Sequence, residues 1–350
     1  MKKVLIQVAT EFHYMVAFSL IEQYYDLSTH EIHFIVAKGQ ASRLSNLTFD
    51  ERFNYHITRY EHTKKEVSND VVELMEFIKA NDFYHFISFL YHDPLFVYLT
   101  YYFKNKNTVS YLAPDGMGAY VKFTKSNLRS RIVNSLAAYS FFKRHNLKFN
   151  KLWLTSWDFG KNGYYDYIYA YSKTLPNLPN KKIVEVDYTL SEKNIESLKK
   201  TFSVDFSAYP DLSKVVLVIN DRHSLPKYES RLLKTISDKM PGYKILFKKH
   251  PNQKAENLTY IDDSVYRIDE IFPVELLIAS IKDGVIISSY SNSMLYHNNN
   301  CHYFWTYPII AKSGELKKDI KRYNPKDYIK VVQNFEELED SLSKIANANK

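Results

Sequence analysis

Residues 4–36 have the sequence VLIQVATEFHYMVAFSLIEQYYDLSTHEIHFIV. The stretch opens with the apolar run Val4–Ala9, continues through a helix-like segment at Tyr14–Tyr25, and closes with a second apolar run at Ile32–Val36. Short apolar strands separated by helical segments of this size are typical of parallel β-α-β units. The stretch therefore predicts an α/β fold whose first element is a β-strand.

The same alternation continues along the chain and occurs in two series. The first half adds apolar runs at His85–Phe89 and Val109–Leu112. A second series begins later, with predicted strands at Val215–Ile219, Tyr243–Phe247 and Val285–Ile287. Two such series predict two Rossmann-like lobes, each with a parallel sheet, that face a central cleft.

The boundaries of these lobes follow from where the alternation weakens. We predict an N-terminal lobe at residues 1–185 and a C-terminal lobe at residues 213–330. Residues 186–212 lie in the stretch where the alternation is weak and prolines occur, which indicates a linker. Residues 331–350 contain an amphipathic stretch that predicts a C-terminal helix, and we expect it to pack back on the first lobe.

The composition excludes several classes of protein. The 350 residues are 45% apolar and 25% charged, which is usual for folded soluble chains and excludes a disordered or low-complexity polymer. The single cysteine, Cys301, cannot form an intramolecular disulfide, and no Cys/His cluster has zinc spacing, so we expect a reducing compartment, the cytoplasm, and no structural metal. No apolar run approaches the roughly 20 residues that a membrane span needs.

The charge is unevenly distributed. The formal net charge is +8, and residues 116–157 contain no acidic residue. Eight basic residues lie in that range: Lys122, Lys125, Arg129, Arg131, Lys143, Arg144, Lys148 and Lys151. A basic, partly amphipathic segment suits an anionic partner, and we expect residues 117–151 to contact the inner leaflet of a membrane unless they form an ordinary solvated face. Nucleic acid is disfavoured, because no recognition motif accompanies the charge.

Candidate chemistry in the first lobe lies just after predicted strands, where open α/β sheets bind their ligands. Asp115 follows the run Val109–Leu112 and precedes Gly116, so its carboxylate could accept a proton from a hydroxyl nucleophile. The alternative is an ordinary Asp-Gly turn. Gln7 and His13 follow the first strand and, with Gly116, are candidates for contact with an acceptor, although a helix cap explains the first two equally well.

Two further candidates follow strands of the second lobe. Lys248, His250 and Pro251 form a cationic corner suited to a phosphate, or else a basic surface loop. Ser291-Asn292-Ser293 follows a strand and precedes a predicted helix. Hydroxyls, backbone N–H groups and the helix macrodipole could together bind an anion there, while simple N-capping is the alternative.

At these residues the chain resembles the bacterial sialyltransferases of the GT-B fold, a group that includes lipooligosaccharide sialyltransferases and capsular polysialyltransferases. Pro114-Asp115-Gly116 is similar to the acidic-acidic-Gly motif of that group, in which the second acid is the general base. The first acidic position is a proline here. The resemblance implies that Asp115 is the base.

The donor-binding motifs of the same group also have counterparts. His250-Pro251, preceded by Lys248, resembles the His-Pro motif that binds and neutralises the phosphate of CMP. Ser291-Asn292-Ser293 is similar to the serine-rich motif that holds the same phosphate, with Ser288-Ser289 as an alternative register. Glu275, in a Pro-x-Glu helix start, looks like the glutamate that accepts hydrogen bonds from the ribose hydroxyls.

The resemblance implies an inverting, metal-independent glycosyltransferase without a cofactor. It would move sialic acid from CMP-sialic acid to a hydroxyl, expected to be on galactose, of bacterial lipopolysaccharide, O-antigen or capsule. It would work in the bacterial cytoplasm or at the inner membrane surface. Two alternatives remain open: a related transferase that uses CDP-glycerol or another nonulosonic acid donor, and a non-catalytic partner that binds nucleotide or glycan.

Overall fold

The computed structural model of the protein describes residues 1–38, 47–60, 66–123, 128–151, 159–173, 175, 181–220, 226–250, 263–312 and 320–348. The chain forms two compact units. The first consists of Met1–Ser203 and Asp319–Tyr323, and the second of Val204–Lys318 and Asn324–Lys350. No helix in the described ranges combines the length and the apolar character required to cross a lipid bilayer.

The first unit has a parallel sheet with helices between its strands. Its elements, in chain order, are β1 (Lys2–Val8), α1 (Glu11–Tyr24), β2 (His30–Lys38), β3 (Asn54–Arg59), α2 (Asn69–Ala80), β4 (Phe83–Ser88), α3 (Pro94–Lys104), β5 (Val109–Leu112), β6 (Val121–Phe123), α4 (Leu128–Arg144), β7 (Tyr167–Ala170), β8 (Ile183–Glu185) and α5 (Glu192–Phe202). Seven strands form one sheet in the order β3-β2-β1-β4-β5-β7-β8, and all neighbours in it are parallel.

The central strands of this sheet are buried on both faces. Every residue of β1 from Val4 to Val8 is buried, including the polar Gln7. A core cluster joins Leu5 and Phe86 of the sheet to side chains of α2, α3 and α4. Helices on the faces of a parallel sheet exclude water from both sides. This explains why the buried part of β1 is apolar at every position except Gln7 and does not alternate with polar residues.

The second unit repeats this architecture. Its elements are β9 (Val215–Ile219), α6 (Pro226–Lys239), β10 (Lys244–Lys248), β11 (Val265–Ile268), α7 (Val274–Ser280), β12 (Gly284–Ser288), β13 (Cys301–Trp305), α8 (Tyr307–Lys312), β15 (Ile329–Val331) and α9 (Phe335–Ala348), while β14 (Ile320–Arg322) belongs to the first unit and pairs antiparallel with β6. The parallel sheet has the order β11-β10-β9-β12-β13-β15. This is the Rossmann order 3-2-1-4-5-6. The two units confirm the predicted pair of Rossmann-like lobes.

The C-terminal helix packs differently from our prediction. We expected residues 331–350 to return to the first lobe. Instead, Phe335, Leu338 and Leu342 of α9 are buried in the core of the second unit together with Leu232 and Ile236 of α6. The apolar face of the amphipathic helix is therefore buried by the unit that is adjacent in the chain.

The range predicted as a linker, 186–212, is largely structured. Its helix α5 belongs to the first unit, which continues to Ser203. Leu198 is fully buried, Asn194 donates a hydrogen bond to Glu22 Oε2 at 2.8 Å, and Ser197 donates one to Asp50. The sequence predicts a helix near Ser191–Phe202, and the structure has it; the assignment of this helix to a linker was wrong, because its polar side chains, as well as its apolar ones, attach it to the first unit.

Two partly buried histidines in the first unit predict a loss of stability in mild acid. Burial, followed by the neighbouring His33, lowers the pKa of His56 to about 4, and burial, followed by His30, lowers the pKa of His85 to about 4. An unfolded histidine has a pKa near 6.5. Between about pH 6.5 and 4 the unfolded chain therefore binds protons that the folded chain does not. The free energy of unfolding decreases as the pH is lowered through this range.

We expect each histidine to contribute about 1 kcal/mol to this loss, a value reduced for solvent screening because both rings are partly exposed. The measurement is urea unfolding at pH 7.5 and pH 5. The double variant His56→Gln/His85→Gln should lose less stability between these pH values than the wild type, whereas His297→Gln, at an exposed position, should behave as the wild type. An unchanged pH dependence in the double variant would exclude these histidines as its source.

Candidate active site

Gln7 lies at the carboxyl end of β1, beside β4, where the strand order of the first unit reverses. Its buried Oε1 accepts hydrogen bonds from the backbone N–H groups of Phe89 and Leu90 at 2.9 and 3.0 Å, and from the Ser88 hydroxyl at 3.2 Å. Its Nε2 is buried and has no hydrogen-bond partner among the described residues. Gln7 thus fixes the loop after β4 at the sheet edge where α/β folds bind ligands.

His13 lies in the first turn of α1 and forms a pair with Asp115. The helix starts at the cap residue Thr10, whose hydroxyl oxygen accepts a hydrogen bond from His13 N at 3.2 Å. The His13 side chain is 1% exposed, and its ring stacks on Phe89 with the centroids 4.6 Å apart. Its Nε2 lies 2.7 Å from Asp115 Oδ1, and its Nδ1 accepts a hydrogen bond from Ala9 N at 3.2 Å.

The two hydrogen bonds of the ring determine its tautomer. The backbone N–H of Ala9 can only donate, so Nδ1 carries a lone pair and the ring proton is on Nε2. Nε2 then donates to the Asp115 carboxylate. The pair therefore presents a buried histidine as donor and a carboxylate, 30% exposed, as the group more accessible to substrate.

The local backbone explains how Asp115 reaches this position. Ala113 N donates to Ser88 O at 2.8 Å, which extends the pairing of β4 and β5 beyond the end of β5. Gly116 has a φ of 78°, in the left-handed region that favours glycine, and it starts a 3-10 helix at Gly116–Tyr120. The Asp-Gly turn expected from sequence is present. Because the Asp115 carboxylate in this turn also forms a hydrogen bond with His13, the turn positions this side chain in addition to reversing the chain direction.

Lys248 is the last residue of β10, at the carboxyl edge of the second sheet, and it is buried. Its Nζ donates to the backbone oxygen of Glu270 and lies 4.7 Å from the centroid of the Phe272 ring. Asn220, just after β9, donates its backbone N–H to Lys248 O at 3.0 Å. A buried cation is costly, so its position at the ligand-binding edge favours a role with an anionic ligand.

The rest of the predicted phosphate corner is described only in part. His250 lies two residues beyond β10 and is partly buried. Lys249 continues the sheet pairing, because its backbone N–H donates to Ile268 O at 3.1 Å. Pro251 lies outside the described residues. The structure thus places Lys248 at the end of β10 and His250 two residues beyond it.

Glu275 lies in the first turn of α7, with Pro273 at the N-cap position, and it is buried. Burial, followed by the carboxylate of Glu275, raises the pKa of Tyr296 to about 12. Tyr296 directly follows the segment that contains Ser291, Asn292 and Ser293. The predicted ribose ligand and the predicted serine motif therefore lie near one another within the second unit.

The helix expected after the serine motif is shorter than predicted. It is a four-residue 3-10 helix, Asn292–Leu295, so its macrodipole contributes little. The Ser291 hydroxyl accepts from Ser293 N at 3.3 Å, Ser291 N donates to Ser288 Oγ at 3.1 Å, and Trp305 Nε1 donates to Ser291 O at 3.3 Å. N-capping thus occupies the Ser291 hydroxyl, and any anion binding here rests on side chains and backbone N–H groups.

A buried pair at the end of β9 was not predicted. Asn220 donates from Nδ2 to Glu229 Oε1 of α6, and both residues are buried. The Asn220 Oδ1 is buried and has no hydrogen-bond partner among the described residues. The position of Asn220 directly after a strand makes it a candidate for substrate contact from sequence, whereas its contact with Glu229 was not predicted. Its partner lies on the next helix and has no motif.

The family model for alpha-2,8-polysialyltransferase (POLYST) matches residues 20–303. The chain belongs to this family. It is therefore a glycosyltransferase, and the family agrees with the resemblance found in the sequence. The match includes Asp115 and all the candidate donor residues of the second unit, whereas Gln7 and His13 precede it. No curated protein matches the chain.

Solved structures show the fold of this polysialyltransferase family member. The glycotransferase of kitacinnamycin is similar over 99% of this chain and 90% of its own, with a TM-score of 0.52 and 10% identity. E. coli heptosyltransferase WaaC aligns over 99% of this chain and 100% of its own (TM-score 0.45, 13% identity), and Phytolacca americana UGT2 over 85% and 78% (TM-score 0.44, 10% identity). The first likeness confirms the predicted GT-B type.

Proposed function

We propose that this polysialyltransferase family member transfers a sialyl group from CMP-sialic acid to a hydroxyl of a bacterial surface glycan, with inversion and without a metal ion. The observation that carries the proposal is the Asp115 carboxylate, partly exposed at the ligand-binding edge of the first sheet and oriented by the buried His13. A carboxylate held in this way is suited to act as a general base.

In the proposed reaction, Asp115 acts on the acceptor, and Lys248, His250 and the serine motif act on the donor. The acceptor oxygen attacks the anomeric carbon, its proton passes to Asp115, and the bond from that carbon to the phosphate oxygen breaks. The electron pair of that bond leaves with CMP. The charge that develops on the phosphate is stabilised by Lys248 and His250 and by the serine motif, an electrostatic contribution that is often among the largest in catalysis.

The family to which the chain belongs bears on which sugar carries the acceptor hydroxyl. The sequence resemblance led us to expect galactose, whereas the family description, alpha-2,8-polysialyltransferase, favours a sialic acid hydroxyl. Gly116, predicted to contact the acceptor, is buried beside the base, so we assign it the role of forming the backbone turn that presents Asp115. Gln7 and His13 are buried, so we assign them the indirect role of fixing the loop after β4 and Asp115.

Nucleotide recognition gives a direct test of the donor half. We expect calorimetry to show that the protein binds CMP in the presence of EDTA and that Glu275→Gln weakens the binding about tenfold, because a charge-assisted hydrogen bond to the ribose becomes a neutral one. Glu336→Gln is the matched control, since Glu336 is also in the first turn of a helix of the second unit.

Binding of CMP that requires a divalent cation would exclude metal-independent recognition. Equal CMP affinity in Glu275→Gln and the wild type would exclude Glu275 as the ribose ligand. Preference for a different nucleotide would point to a different donor.

A further inference from the structure

The helix α4 exposes a stripe of large apolar side chains. Leu128, Ile132, Val133 and Leu136 are 57%, 45%, 56% and 65% exposed. At about 100° of rotation per residue, these four side chains fall within about 140° of the helix circumference. Exposed apolar residues scattered singly are normal, but four on one helical stripe indicate an interaction surface. We call these four residues the apolar stripe.

The other face of α4 holds the helix firmly on the first unit. Ala138, Phe141 and Phe142 are buried in the core cluster that also contains Leu99 and Phe103 of α3. The stripe is therefore not the unit's own core face turned outward. It is a second apolar face of the helix. The opposite face packs in the core of the first unit, so the stripe points to solvent.

The charged side chains of the stripe's own helix and of the residues just after it are all basic. Residues 128–151 contain no acidic residue. Arg129 and Lys143 are exposed and fall on the same side of the helix as the stripe, and Lys148 and Lys151 are exposed just beyond its end. Basic side chains beside an apolar stripe on one helix are the pattern of helices that lie in the interface of an anionic membrane.

We propose that α4 is a membrane-docking helix, with the apolar stripe at the boundary between the headgroups and acyl chains of an anionic bilayer. The exposed basic residues contact lipid phosphates. A second copy of the chain is a less suitable occupant, because joining two stripes would bring Arg129 and Lys143 of both copies together. A nucleic acid would use the charge but would leave four large apolar side chains in water.

The test is sedimentation of the full chain with vesicles, in the absence of any sugar donor, so that its result does not depend on the proposed transferase activity. We expect binding to vesicles of equal parts phosphatidylglycerol and phosphatidylcholine, little binding to phosphatidylcholine alone, and weaker binding at high salt. Leu136→Glu should lower the partition into anionic vesicles about tenfold or more, because it removes a leucine that would insert into the bilayer and adds a negative charge.

Val72→Glu is the matched control. Val72 is 39% exposed on α2 of the same unit and lies outside the stripe, so this variant should bind as the wild type does. A thermal unfolding curve for each variant verifies that it is folded. Equal binding of Leu136→Glu and the wild type, or equal recovery with neutral and anionic vesicles, would overturn the proposal. A wild-type dimer that Leu136→Glu dissociates would overturn it too, by assigning the stripe to self-association.

Discussion

Replacing Asp115 by asparagine is expected to lower the rate of sialyl transfer by about 10²–10⁴-fold while CMP affinity stays unchanged. The amide has nearly the shape of the carboxylate but cannot accept the proton of the acceptor hydroxyl. The donor residues lie in the second unit and are unaffected. Steady-state transfer rates and CMP calorimetry on the same preparations measure the two quantities.

The matched control for this substitution is Asp166→Asn. The Asp166 side chain is 34% exposed, close to the 30% of Asp115, and it lies in the same unit just before β7, at the opposite edge of the sheet. This variant should keep the wild-type rate. A wild-type rate in Asp115→Asn would exclude Asp115 as the base, and a parallel loss of CMP binding would indicate that the substitution damages the fold.

The second large effect concerns His13, which we treat as a positioning residue. Its ring links Ala9 N to Asp115 Oδ1 through opposite nitrogens. Asparagine can accept from Ala9 but does not reach Asp115, whereas glutamine places an N–H near the position of Nε2. We therefore expect His13→Asn to lower kcat about tenfold to a hundredfold without changing the KM for the donor, and His13→Gln to retain most of the activity.

This pair of variants separates positioning from a purely structural role. If His13 only stabilises the start of α1, asparagine should be tolerated at least as well as glutamine, since it preserves the contact with Ala9. Equal rates in the two variants would therefore contradict positioning through Asp115. Thermal unfolding of both variants provides the check that any difference in kcat is not a difference in folded protein.

The apolar runs of the sequence predicted most of the central strands of both sheets, although β7 and β13 were missed. The fully buried run Val215–Ile219 is β9, and Val109–Leu112 is β5. The strand β3 was missed because it lies at the edge of its sheet and is mostly polar, with only Thr58 buried. A strand covered on both faces has a clear hydrophobic pattern, and an edge strand does not.

Short motifs indicated where three candidate residues lie in the fold. Asp115 follows a strand, Lys248 is the last residue of a strand, and Glu275 lies in the first turn of a helix, while their roles stay predictions. The contact between His13 and Asp115 was not predicted, because the two residues are 102 positions apart and come together only through the order β1-β4-β5 in the sheet. The serine segment was interpreted as a helix start, and the structure has a single turn of 3-10 helix there, with Ser291 as its N-cap.

The most direct test of the central claim is mass spectrometry of the products formed from CMP-sialic acid by the purified wild type and by Asp115→Asn. The acceptors would be a sialylated and an unsialylated galactoside, with EDTA present. We expect the wild type to add sialyl residues, preferentially to the sialylated acceptor, and Asp115→Asn to add almost none. Binding of CMP without any transferred sialic acid on either acceptor, or transfer that persists in Asp115→Asn, would contradict this expectation.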